Sequence, residues 1–200
     1  MTGRGETGRS KPGRYNDQAY VEAWQSGRRY PTIHNAIFDA AAELLPAPAK
    51  AGRVLDLGCS TGLLGRRLCD HLGYDVAWTD GDEDALQRGL EAGVIESDHY
   101  LRCVLTPESI EAFQGFLVDQ GVRTVVARRV LCVYSDRTSP DMLRELFAAA
   151  GVERILLEGQ RRDRRAVHPF GSADQQVAGM APTFALRASR SIDVRFLSRV

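Results

Sequence analysis

Val54-Leu55-Asp56-Leu57-Gly58-Cys59-Ser60-Thr61-Gly62 is an apolar run that breaks into a tight, glycine-flanked turn. An amphipathic stretch, residues 62–72, begins as soon as the turn is over. A strand that passes into a helix through small residues brings backbone N–H groups close to a ligand. Gly58 and Gly62 lack the Cβ atoms that would block such an approach. Asp56 stands at the strand's end, the edge at which open α/β sheets bind ligands.

The same alternation continues downstream. Apolar runs at 54–57, 74–78, 100–105, 122–127 and 155–157 are separated by amphipathic stretches at 62–72, 83–92, 107–120 and 139–150. The last stretch has Ser139 as N-cap, Pro140 at the first helical position and Gly151 at its end. Strands spaced by helices of this size predict βαβ units and a mainly parallel sheet. Residues 183–188 and 192–200 are strand-like and joined only by Ser189, Arg190 and Ser191, which predicts a hairpin and an antiparallel strand. Upstream, Tyr20, Val21 and Trp24 fall at helical spacing, and Pro31 opens a longer helix carrying Ile33, Ile37, Ala40, Ala41 and Leu44. Pro46, Pro48 and Gly52 end it. Residues 1–14 hold four Gly, four basic residues and almost nothing apolar, and read as a disordered tail.

Twenty-six basic residues balance twenty-six acidic ones in a chain of 200, with a pI near 6.9. That balance argues against binding nucleic acid through bulk charge. The basic residues are lopsided: only Lys11 and Lys50 are lysines, a bias that genomic composition explains unless the arginines cluster. The cysteines, Cys59, Cys69, Cys103 and Cys132, show no metal-ligand spacing, so no metal site is expected; reduced thiols point to the cytoplasm. No run approaches the length of a membrane span, and the N-terminus has no apolar stretch of the secretory kind, so no membrane partner is expected.

Asp80 ends the second strand, 24 positions after Asp56. An acid there can accept hydrogen bonds from both hydroxyls of a ribose, and Gly81 lets the loop turn under an adenine ring. The dinucleotide fingerprint would need a glycine where Ser60 stands, and the Asp56 carboxylate would repel a pyrophosphate. That carboxylate suits a ligand bearing positive charge, such as an amine or sulfonium.

The run 56–62 resembles the glycine-rich first motif of class I S-adenosylmethionine-dependent methyltransferases, acid-x-Gly-x-Gly-x-Gly, with Ser60 in place of the middle Gly. Asp80 matches the family's ribose acid, and Glu83-Asp84-Ala85-Leu86 resembles the start of the helix after it. Ala127-Arg128-Arg129-Val130-Leu131 falls at the end of the fourth strand, which closes over the methionine part. The terminal hairpin matches the family's reversed last strand, so the resemblance covers roughly residues 30–200. It implies a Rossmann-like α/β fold: a seven-stranded, mostly parallel sheet with an antiparallel last strand and helices on both faces. It also implies S-adenosyl-L-methionine as cofactor, held by Asp56, Gly58, Cys59, Ser60, Gly62, Asp80, Gly81, Thr106, Arg128 and Tyr30.

The sequence departs from the family in three places. No acid follows the third strand, where Cys103-Val104-Leu105-Thr106-Pro107 leaves Thr106 or backbone to meet adenine. The Asp/Asn-Pro-Pro-Tyr motif of amino-methylating nucleic-acid enzymes is missing, and so is the Pro-Cys nucleophile of cytosine-C5 enzymes. Both absences weigh against base methylation.

Arg128 and Arg129 fall on the ligand edge, where one at least is expected to face cofactor or substrate; a strand-end pair that simply reaches solvent is the alternative. Arg161-Arg162-Asp163-Arg164-Arg165 is the dense arginine cluster, either a solvated loop or a site for an anionic substrate. Arg129, Arg164, Arg165 and His168 are the candidate substrate residues, with His168 as general base or as a structural histidine. Tyr20, Trp24, Tyr30 and His34 are read as a lid that is also packed, with Arg29 or Tyr30 at the donor's methionine end. Cys132 and Tyr134 are read as pocket wall without a covalent role.

The expected organisation is a tail over 1–14 and one methyltransferase domain over 15–200, with lid helices at 15–46. The expected activity is in-line methyl transfer to a small molecule. Methylation of a nucleic acid or nucleotide through residues 161–165 is the runner-up, and donor binding without catalysis is a third reading.

Overall fold

The computed structural model describes residues 18–28, 30–131, 139–160, 170–191 and 193–200. Seven strands form one sheet in the order β3-β2-β1-β4-β5-β7-β6. β1 (Arg53–Leu57) pairs in parallel with β2 (Val76–Asp80) on one side and β4 (Val122–Arg128) on the other. β3 (Tyr100–Arg102) extends the sheet beyond β2, and β5 (Arg154–Glu158) extends it beyond β4, both in parallel. The hairpin of β6 (Phe184–Ser189) and β7 (Val194–Arg199) completes it, with β7 antiparallel to β5. The chain winds outward from β1 in one direction and from β4 in the other. Such a reversal opens a crevice at the strands' carboxyl ends.

Helices cover both faces because the strands are apolar on both. On one face Val54, Val76, Trp78, Val126 and Leu156 pack with α2 (Asn35–Leu44), α4 (Leu63–Leu72) and α5 (Glu83–Glu91). On the other, Leu55, Leu57, Val125, Ala127, Ile155 and Leu157 pack with α6 (Ile110–Asp119), α7 (Pro140–Ala149) and α8 (Ala173–Met180). Runs without alternation are what a sheet buried on both faces requires. α2 lies over β5 and β7 beside α4, so it belongs to the domain core; α1 (Gln18–Gln25) touches α5 and buries Val21. Among the described residues no helix is long and apolar enough to cross a membrane.

Several elements differ from their sequence expectation. The helix expected from Pro31 begins as a 3₁₀ turn, Thr32–His34, and the one expected from residue 107 begins as another, Pro107–Ser109. The second strand starts at Val76 rather than 74: the Tyr74 ring is buried and its hydroxyl donates to the Pro46 carbonyl. The third strand stops at Arg102, and Ser109 Oγ, which donates to the Val104 carbonyl, holds the chain beyond it. Two helices fall in stretches not read as helical: α8, capped reciprocally by Ser172 and Gln175, and the single turn α3 (Pro48–Ala51).

α4 lies unusually close to β2 because Gly65 is a glycine. A Cβ there would stand 2.3 Å from Trp78 Nε1 and 3.0 Å from Asp56 Oδ2. Trp78 is fully buried and has no room to yield. Gly65→Ala is therefore expected to cost about 1–3 kcal/mol through overpacking, measured by urea denaturation. A change within about 0.5 kcal/mol, typical of a neutral surface site, would contradict this packing.

Candidate functional site

The turn after β1 is built around α4's missing cap. Gly62 is the N-cap residue, with φ +80°, and has no side chain to accept from the helix's first N–H groups. Asp56 supplies the acceptor from the strand: its Oδ2 takes the Gly65 N–H at 2.7 Å. The carboxylate also faces the positive end of the helix dipole. Burial pushes the Asp56 carboxyl up to about 7; the nearby Asp80 charge adds to the rise, while the Gly65 N–H and Arg128 oppose it. The sequence reading gave this acid to a cationic ligand, but it points inward and is 2% exposed.

The glycines need a similar correction. A Cβ on Gly58 would sit 2.4 Å from Val130 Cγ2, and one on Gly62 would sit 2.5 Å from Ile95 Cγ1. The space they leave is occupied by the protein's own side chains rather than held open for a ligand. Positive φ at both positions favours glycine independently.

Asp80 binds the two loops of the crevice together. Its Oδ2 accepts the Ser60 N–H at 2.6 Å and its Oδ1 accepts the Asp82 N–H at 2.8 Å. Burial raises its pKa, which these backbone donors oppose. The Gly81 N–H also donates to it; a carboxylate offers about four acceptor positions, so Asp80 keeps acceptor capacity for a ribose hydroxyl. Ser60 takes φ +54°, the left-handed conformation that a glycine would adopt freely. The N–H groups of Gly58 and Cys59 both donate to the Thr79 carbonyl. The Cys59 side chain lies in the core and burial drives its thiol pKa upward, so the residue presents a neutral thiol. Gly81 is overlaid by Val104, whose Cγ2 would be 3.0 Å from an added Cβ. Thr106 caps the turn after β3, its N–H donating to Ser109 Oγ at 2.9 Å.

Arg128 and Arg129 share one buried counter-ion. Glu158, directly opposite Arg128 in the β4–β5 register, lies 3.3 Å from Arg128 Nε and also pairs with Arg129. Arg129 has φ +57°, donates its backbone N–H to the Glu158 carbonyl and accepts from Gln160 Nε2 at 2.7 Å. The pair is thus tied to the protein at the strand ends, where sequence reasoning had aimed it at ligand or solvent. His34 stands near both arginines. Burial, Arg128, Arg67 and Arg129 together push His34 down to about 3, so the ring is neutral; its Nδ1 is buried without a hydrogen-bond partner.

Tyr30 is not at the glycine turn. Its hydroxyl donates to Asp70 Oδ2 at 2.5 Å and accepts from Trp24 Nε1 at 2.9 Å. Asp70 is eight residues past Gly62, about 12 Å along α4 at the standard rise. The tail 1–14, Arg29, Cys132, Tyr134, the cluster 161–165 with Arg164 and Arg165, and His168 lie outside the described residues. Gly65 and Glu158 were missed as site residues. Two arginines at one strand end with a single acid at the end of the following strand was the available signal for Glu158.

Sequence comparison finds no matching family model and no matching curated protein. Structural comparison does find likenesses. A TehB-like SAM-dependent methyltransferase from Corynebacterium glutamicum matches with a TM-score of 0.56 at 12% identity, over 92% of this chain and 95% of that one. The bifunctional kinase-methyltransferase WbdD matches with 0.55 at 15% identity, over 88% of this chain and 41% of its own. The chain has the class I methyltransferase fold. A structure described for conversion of a disulfide bond into a thioacetal group during echinomycin biosynthesis also matches, with a TM-score of 0.52 at 17% identity over 81% and 80% of the two chains. The chain spans under half the length of the WbdD structures it matches.

The donor set suits S-adenosylmethionine. Asp80 retains acceptor capacity at the end of β2, and Arg128 and Arg129 stand with Glu158 at the ends of β4 and β5, the edge where a methionine carboxylate would lie.

Folded Asp56 holds its proton to about pH 7, whereas the unfolded side chain releases it near its ordinary value of 3.8. Its contribution to stability is therefore full below pH 3.8 and is lost as pH rises to 7. Asp56→Asn keeps an acceptor for the Gly65 N–H and should flatten this part of the pH–Tm profile. Parallel profiles for the two proteins would contradict the assignment. Glu158→Gln should cost about 3–5 kcal/mol in denaturant unfolding, because two buried guanidiniums lose their charge partner. A loss below about 1 kcal/mol, as for an exposed ion pair, would contradict it.

Proposed function

We propose that the chain transfers a methyl group from S-adenosyl-L-methionine to a small-molecule acceptor. The observation that supports this most is Asp80, a half-buried carboxylate at the carboxyl end of β2, one strand from the sheet's reversal point, that holds both flanking loops by backbone N–H groups and keeps acceptor capacity for a ribose. When bound, the donor supplies an electrophilic methyl on a sulfonium, and the sulfur keeps the bonding pair as the acceptor's lone pair takes the methyl. Asp80 would accept a ribose hydroxyl. The turn at 58–62, anchored through Asp56 and Thr79, would fix the donor's place, and Arg128 and Arg129 at the end of β4 would face its carboxylate end. Alignment and exclusion of water are what such a displacement chiefly needs.

A chain whose basic and acidic residues cancel favours a small acceptor over nucleic acid. The echinomycin-pathway neighbour, which resembles this chain in fold alone, is in keeping with that reading. We place the reaction in the cytoplasm, in line with unpaired cysteines at 59, 69 and 103.

Calorimetry with S-adenosylhomocysteine tests the donor site. Saturable binding is expected, weakened at least about tenfold in Asp80→Ala, since hydrogen bonds to a charged group are worth about 1.5–3 kcal/mol each. Absence of binding would overturn the methyltransferase reading, and equal affinity in the variant would remove Asp80 from it.

A further inference from the structure

A second pocket lies away from the donor crevice. It has a volume of about 530 Å³ and lies between the N-terminal segment and the outer face of α4. Its size falls in the range that takes a small molecule, about 300–1,000 Å³. None of the turn 58–62, Asp80 or the arginines at 128 and 129 lines it. Thr32 lines the pocket, while His34 in the same turn feels the charges of Arg128 and Arg129.

Its walls combine rings with uncompensated positive charge. Trp24 and Tyr30 line it, and Tyr30 meets the His71 ring edge-on with centroids 5.4 Å apart. Asp70, Arg67 and Arg28 line it, and their pairing is unequal. Asp70 is already bound, accepting from Tyr30 at 2.5 Å and from Arg66 at 2.9 Å. Arg67 has no ion pair among the described residues: Asp39 attracts it from beyond ion-pair distance, and it donates only to Asn35 Oδ1, at 2.8 Å. Arg28 is exposed on the rim, also without an ion pair among those residues.

Arg67 is also held in a fixed plane. Its guanidinium carbon lies 3.8 Å from the Phe38 ring centroid and 5.8 Å from that of Tyr30. A guanidinium stacked on a ring keeps its edge N–H groups for a planar, bidentate acceptor. An unpaired, oriented arginine in a ring-lined pocket is the arrangement that recognises an anion on an aromatic group.

We propose that this pocket binds a small planar anion, a carboxylate or phosphate carried on an aromatic ring, with Arg67 holding the anion and Trp24 contacting the ring. The site is separate from the donor site, and its occupancy does not depend on methyl transfer.

The test uses the full chain, labelled with ¹⁵N, and the two indole N–H signals of Trp24 and Trp78. Trp24 is in the pocket and Trp78 is fully buried elsewhere. Trp24→Phe assigns the signals. Benzoate and phenyl phosphate are titrated separately to distinguish the two anions, with benzamide as the uncharged ring. The Trp24 signal should move saturably with at least one anion while Trp78 stays in place, and benzamide should act at least about tenfold more weakly. Arg67→Met should weaken binding at least about tenfold, the loss expected for a charge-assisted bidentate pair. Arg28→Gln, at an exposed position that folding does not require, should weaken it severalfold. An unmoved Trp24 signal, an equal response to benzamide, or full affinity in either folded variant would overturn the proposal. If Arg67→Met loses the Trp78 signal through misfolding, Arg28→Gln decides. S-adenosylhomocysteine affinity, measured on the same samples, reports the donor site separately and should be unchanged in both variants.

Discussion

The hydrogen bond from the Gly65 N–H to the Asp56 carboxylate fixes the corner from which the rest of the crevice is built. α4 starts at a glycine that cannot cap it, so the cap comes from the preceding strand. That bond requires α4 to approach β1 and β2 closely, which in turn requires glycine at position 65 against Trp78. Once the corner is set, Ser60 is placed to donate to Asp80, and the loops after β1 and β2 become one unit. Burial raises the acid's pKa to about 7, so near neutral pH both its protonated and ionised forms are populated, and either accepts the Gly65 N–H.

Across the crevice a charged cluster does the corresponding work. Glu158 lies between Arg128 and Arg129 at the ends of β4 and β5, and the backbone bond from Arg129 to the Glu158 carbonyl carries the ladder past the last strand residue. A buried triad of this kind is costly to desolvate and costlier to break, so it specifies one arrangement of the strand ends. Burial keeps the neighbouring His34 neutral, and the charges of Arg128, Arg67 and Arg129 act in the same direction. The arginine-rich composition thus has at least two structured uses, here and at Arg67, alongside whatever coding bias produced it.

The sheet was legible in the sequence because its strands are continuous apolar runs bounded by turn residues, and the hairpin because only three residues join its halves. α8 was not, since its weakly periodic run of Ala, Gln and Val is helical mainly through the Ser172–Gln175 cap. The position of Asp80 followed from its place at a strand end. The inward turn of Asp56 did not, because only the packed helix shows that Gly62 leaves a donor uncapped. Spacing put Gly58 and Gly62 in the turn after β1 but said nothing of Val130 and Ile95, which arrive from distant sequence to fill the space beside them. The setting of Tyr30 was not legible for the same reason: its partner Asp70 is forty residues away.

The central claim is that the carboxyl ends of β1, β2 and β4 form a nucleoside site organised by Asp80. The most direct measurement is a crystal structure of the chain with S-adenosylhomocysteine. The account places a ribose hydroxyl within hydrogen-bond distance of the Asp80 carboxylate, with the Ser60 and Asp82 N–H bonds retained. A ligand bound elsewhere, or a ribose turned away from Asp80, would contradict it.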